Sequence, residues 1–220
     1  MNLRVENISR SEILKYLHYA GGDIPADMEA MIARATEEVK ESARAKYRYV
    51  EKAKDARELE DILLGRDIEL LLASSDRVLL MAVTLGREVE MLIRRQAFSN
   101  LAYSVVLDAV ASAAVESLAE DINRELEGKY APCHLTERFS PGYGDMPMSV
   151  QGPLLRLLNA DKELGIATTA GHIMVPRKSI SAILGISRLP QSKRVPGCEG
   201  CRLYADCEIR KRGGSCGKPK

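Results

Sequence analysis

The chain lacks an excess of charge, an unbroken apolar run and, before position 198, any cysteine but Cys133. Thirty-two basic residues against thirty-one acidic ones leave a net charge of +1, so no general field draws it to nucleic acid or to a membrane surface. Any partner must be chosen locally. The opening "MNLRVENISRSEIL" has no apolar signal-peptide core, and no later run approaches the ~20 apolar residues of a membrane span. The expectation is a soluble, cytoplasmic protein. Cysteines spread through the fold would suggest disulfides, whereas four of the five crowd into the C-terminal tail, which favours metal. No repeat of solenoid length occurs, and 220 residues with 45% hydrophobic content can bury one large core, or a small and a medium one.

Read along the chain, the first signal is "SRSEILKYLHYAGG". Ser9 and Glu12 have capping-box spacing, Ile13, Tyr16, Leu17 and Ala20 follow at helical period, and Gly21 and Gly22 close the segment. A second helix starts near Pro25 and places Met28, Met31, Ile32, Ala35 and Val39 on one face. "KYRYVEKA" alternates as a strand does, and the apolar run Val78 to Val83 predicts a buried strand ended by Gly86. From Arg87 to Glu127 the period is helical, with a break at Ser99 and Asn100; the small residues Ala109 to Ala114 leave room for a ligand or a sheet. A short helix over 149–158 and strands near 166–175 and 179–186 complete a mixed interior, and "RLPQSKRVPG" links it to the tail.

The connector "RFSPGY", Arg138 to Tyr143, places an arginine, a proline, a glycine and a tyrosine within six residues. As a plain turn it needs only Pro141 and Gly142. On the preceding helix, Glu116 and Glu120 stand four residues apart and project from one face. Glu116 follows the small, apolar "AVASAAV", where an unpaired carboxylate is costly, so it needs a positive partner. Arg138 can serve directly, or it can grip a ligand carboxylate while Glu116 accepts from that ligand's ammonium. The second arrangement describes an amino-acid head group.

These residues resemble a known family. "ERFSPGYGDMP", preceded by "VESLAEDI" and followed by "IMVPRKSISAILGI", is similar to the activation domain of cobalamin-dependent methionine synthase, and more so to its short, free-standing relatives. The clear part spans residues 105–187, with "ILLGRDIELLL" and "LLMAVTLG" as fainter matches before it. The resemblance implies an α+β fold with a mixed sheet and long helices, divided into a helical and strand region (1–98), an S-adenosylmethionine-binding core (99–188), and a linker with a cysteine-rich tail (189–220). It implies that Arg138, Pro141, Gly142 and Tyr143 hold S-adenosylmethionine, with Glu116 as the family's helix glutamate. It also implies reductive methylation of cob(II)alamin, with the cobalamin carried by a partner methionine synthase or related methyltransferase, and electrons coming from a donor such as flavodoxin or ferredoxin.

The chain departs from the family in "ATTAGHIMVP", where Ala170 occupies the position of an expected acidic residue and His172 stands nearby. It holds no D-x-H-x-x-G cobalamin-ligand pattern. His172, His18 and His134 read first as ordinary structural histidines, and Cys133 as a small buried residue. Cys198, Cys201, Cys207 and Cys216 form C-x2-C-x5-C-x8-C, a set that suits either an iron–sulfur cluster or zinc. Two other functions remain open: methylation of a different acceptor, or an S-adenosylmethionine- and metal-binding adaptor that transfers no methyl group.

Overall fold

The computed structural model describes residues 2–19 and 24–191, together with residues 205 and 211. Five antiparallel strands form the main sheet in the order β1-β2-β3-β7-β4: β1 (Asn2–Leu3), β2 (Ala45–Ala53), β3 (Ser75–Thr84), β7 (Ser179–Ser187) and β4 (His134–Leu135). A separate hairpin pairs β5 (Ala167–Thr168) with β6 (Met174–Val175). Strands from before and after residue 98 therefore lie side by side, with β3 against β7 in the middle of the sheet. This is the α+β architecture the sequence implied.

The unbroken apolar run of β3 follows from its place. Leu79, Met81 and Val83 enter one core together with Ala182 and Leu184, whereas Val78, Leu80 and Ala82 enter a second core with Ile183. A strand covered on both faces has no reason to alternate with polar residues. The first core is closed by α1 (Arg10–Tyr16), α2 (Ala26–Ser42), α4 (Arg87–Ser99) and α5 (Leu101–Tyr130). The second is closed by α3 (Arg66–Leu71), α6 (Gln151–Leu157) and α7 (Ala160–Leu164).

The break between α4 and α5 falls where expected: Asn100 leaves helical geometry and its side chain accepts from the Tyr103 amide at 3.0 Å. Ala109, Ala111, Ala113 and Ala114 are buried, so the space offered by the small residues is taken by the protein's own core. By length and composition α5 could cross a membrane, contrary to the expectation that no segment comes near a span; 61% of its apolar window is buried within the fold. Most of its apolar residues are accounted for by packing, while Leu101 and Val105 remain exposed.

Helix α1 ends earlier than the glycines suggested. Ser9 caps its start as expected, accepting from Glu12 N at 3.4 Å, but the helix stops at Tyr16. His18 N donates to Lys15 O and Tyr19 N to Leu14 O, both at 2.9 Å, with His18 at φ +55°. This is the paired C-terminal bonding that usually recruits glycine. The closing element is thus a left-handed histidine.

Candidate functional site

The segment 134–139 runs along the outer edge of β7. His134 and Leu135 pair with Ser187 and Ile186, and Phe139 exchanges backbone hydrogen bonds with Ile183 at 2.9 and 2.8 Å. Alternation along this extended stretch sends Phe139 toward the second core and turns its neighbour Arg138 toward α5. Sheet pairing therefore aims the arginine.

The guanidinium meets both helix carboxylates. Arg138 Nη2 lies 3.6 Å from Glu116 Oε2 and 3.5 Å from Glu120 Oε2, and the arginine side chain is only 20% exposed. Arg138 Nη1 is buried and has no hydrogen-bond partner among the described residues. A buried guanidinium N–H without an acceptor is costly, so the geometry suits an incoming anion such as a carboxylate. Glu116 is half-buried, and burial pushes its carboxyl above the usual range while Arg138 pulls it back and Glu12 and Glu120 push it further up. This group would be relieved by a second cation.

Past Arg138 the chain folds into a compact turn. Gly142 N donates to Met146 O at 3.1 Å, Tyr143 N to Ser140 O at 3.0 Å, and Met146 N to Tyr143 O at 3.0 Å. Pro141 is buried, whereas Tyr143 is 56% exposed and set edge-on to Phe139 at 6.1 Å between centroids. Gly142 has φ +87°, and a Cβ there would come within 2.5 Å of Met148 Sδ, so any other residue at this position is strained. The turn is anchored from outside by Asp145, whose carboxylate accepts from Arg66 N at 2.7 Å and Asp67 N at 3.1 Å at the start of α3. Sequence reading missed this clamp, because nothing local relates position 145 to position 66.

The remaining predicted residues are more scattered. His172 is not in a strand but in the turn of the β5–β6 hairpin, at φ +61°, and Ala170 is exposed beside it. Lys178, just beyond that hairpin, bonds Asp108 and Ser112 of α5 at 2.8 Å each. His134 and His18 are exposed, and Cys133 is a free thiol, half-buried against the first core. Cys198, Cys201, Cys207 and Cys216 lie outside the described residues; among the described residues no group of three or more His, Cys, Asp or Glu could hold a metal ion. Tyr16, the last residue of α1, is 42% exposed, and burial together with the charge of Glu116 pushes its hydroxyl up to about 12.

The five-stranded antiparallel sheet lies between two helical layers, with a charge-paired arginine at its edge facing a long core helix. The fold matches the solved structure of the MetH reactivation domain bound to AdoHcy, with a TM-score of 0.63 and 16% identity, covering 98% of this chain and 85% of that one. The likeness is one of fold. No family model and no curated protein matches the sequence.

Proposed function

We propose that this chain is a free-standing reactivation component for a corrinoid methyltransferase of the methionine synthase kind, binding S-adenosylmethionine as methyl donor. One observation carries this reading: a buried Arg138 Nη1 without an acceptor, beside a half-buried Glu116. Together they complement the carboxylate and ammonium of an amino-acid head group. Support comes from the fold it shares with a reactivation domain whose solved structure holds AdoHcy. The methyl donor's other product would be that same class of molecule.

In the proposed reaction one electron and the sulfonium methyl convert the partner's cob(II)alamin into methylcobalamin, releasing S-adenosylhomocysteine. The electron comes from a reduced flavodoxin- or ferredoxin-type protein. This chain's residues need move no proton. Arg138 and Glu116 fix the head group, Gly142 lets the backbone approach, and Tyr143 borders the ligand, so the contribution is orientation of the methyl group. The corrinoid arrives on a partner in the cytoplasm, and the four tail cysteines would hold an iron–sulfur cluster or zinc.

The test mixes the protein with a corrinoid-loaded synthase lacking its own activation domain, a reductant and S-adenosylmethionine, and follows methylcobalamin by absorbance. The expected result is methylation that requires this chain. S-adenosylmethionine binding without methylation, across several corrinoid partners and a competent reductant, would replace this reading with that of a binding adaptor.

A further inference from the structure

The turn that follows Arg138 is tied to the sheet at one end only. Phe139 pairs with Ile183, but beyond it the backbone bonds of Gly142, Tyr143 and Met146 stay within the turn itself. Its far end is held elsewhere. Met146 is buried in the second core and sets the depth of the chain, yet apolar burial is non-directional and does not orient a backbone. Direction comes from α3. The Asp145 carboxylate accepts from Arg66 N at 2.7 Å and Asp67 N at 3.1 Å, and the Asp67 carboxylate returns the bond by accepting from Asp145 N at 3.2 Å.

Each carboxylate occupies room that a glycine of the opposite segment leaves. A Cβ on Gly65, at φ +116°, would come within 2.5 Å of Asp145 Oδ1, and one on Gly144, at φ +51°, would collide with Asp67 Oδ2. Gly65, Asp67, Gly144 and Asp145 thus form one reciprocal joint, closed by charge-assisted bonds to backbone amides. We infer that Asp145 is a positioning residue: by closing this joint it holds the Arg138–Tyr143 turn in the geometry that receives the amino-acid head group, acting through the turn and not by contact with the ligand. A turn free to swing about Phe139 would have to be ordered by each incoming ligand, which lowers affinity. This inference rests on the function proposed above.

The experiment pairs calorimetric titration with S-adenosylmethionine and hydrogen exchange of the ligand-free full chain. Asp145→Ala is expected to weaken binding by about 5- to 30-fold. It should also speed exchange at the Gly142, Tyr143 and Met146 amides while those of β3 and β7 keep their protection. Asp145→Asn, which keeps one carbonyl acceptor, should recover part of both effects, and it carries the test if Asp145→Ala does not fold. In an Arg138→Ala background, Asp145→Ala should cost far less affinity, a coupling that general destabilisation would not produce. Equal losses with and without Arg138, or wild-type exchange in Asp145→Ala, would overturn the positioning role while wild-type binding stands. Failure of the wild-type protein to bind S-adenosylmethionine would overturn the function proposed above and the positioning role with it, leaving faster exchange in Asp145→Ala as the mark of a purely structural clamp.

Discussion

Arg138 reaches Glu116 across a fold boundary: its Nη2 lies 3.6 Å from the Glu116 carboxylate, on a helix that ends before the sheet-edge segment bearing the arginine begins. The pair is held from both sides by backbone structure. Only one arm of the guanidinium is engaged, and the other is buried without an acceptor among the described residues.

Arg138→Ala should weaken S-adenosylmethionine binding by about 2 kcal/mol, the loss expected for a charge-assisted bond in a partly enclosed site. The fold should survive, since Phe139 keeps its backbone bonds to Ile183. Calorimetry with a parallel thermal melt checks both statements; unchanged affinity would remove Arg138 from the site.

The raised Glu116 carboxyl predicts a pH signature. A folded-state value above the ordinary 4.5 means that the native protein holds its proton where the unfolded chain has already lost it. Between 4.5 and that raised value this residue's contribution to stability falls as pH rises. Binding of a cationic ligand needs the ionised form, so affinity should fall on acidification already above the usual carboxylate range. In Glu116→Gln, titrations across pH 4 to 7 should lose that step, and affinity at neutral pH should drop by about 1 kcal/mol.

Gly142→Ala should damage the loop specifically. A methyl group at φ +87° is strained, and it meets Met148 Sδ at 2.5 Å. A cost of about 1–2 kcal/mol is expected from the backbone alone, read by urea unfolding, together with weaker ligand binding. In Gly142→Ala/Met148→Ala the steric part should be relieved and the backbone part should remain.

His18→Gly should have the opposite sign for stability. The left-handed geometry that closes α1 suits glycine better than histidine, so urea unfolding should show a gain of about 1 kcal/mol. A loss of stability would mean that the His18 side chain makes a contact worth more than the strain it relieves.

Much of this molecule was legible in its sequence because the signals were local. The cap at Ser9, the helix break at Ser99 and Asn100, the apolar run of β3 and the helical period of α5 each report on neighbours within a turn or two. The same holds for the proximity of Glu116 and Glu120, which a helix fixes by its pitch. The apolar setting of Glu116 could suggest that it needed a positive partner such as Arg138; only the pairing of residues 134–139 with β7 decided which way the arginine side chain points. The clamp of Asp145 on α3 was invisible for the same reason. It joins segments 78 and 79 residues apart, and such contacts are set by how helices and strands pack, not by the composition of either segment. The glycines after α1 misled in a complementary way: they advertise a helix end, but the chain had already closed the helix at His18 through backbone hydrogen bonds that its residue type does not announce. The sequence by itself determined the elements and the chemical groups available, while the tertiary structure decided which of those groups share a site, because long-range packing alone sets the distance between them.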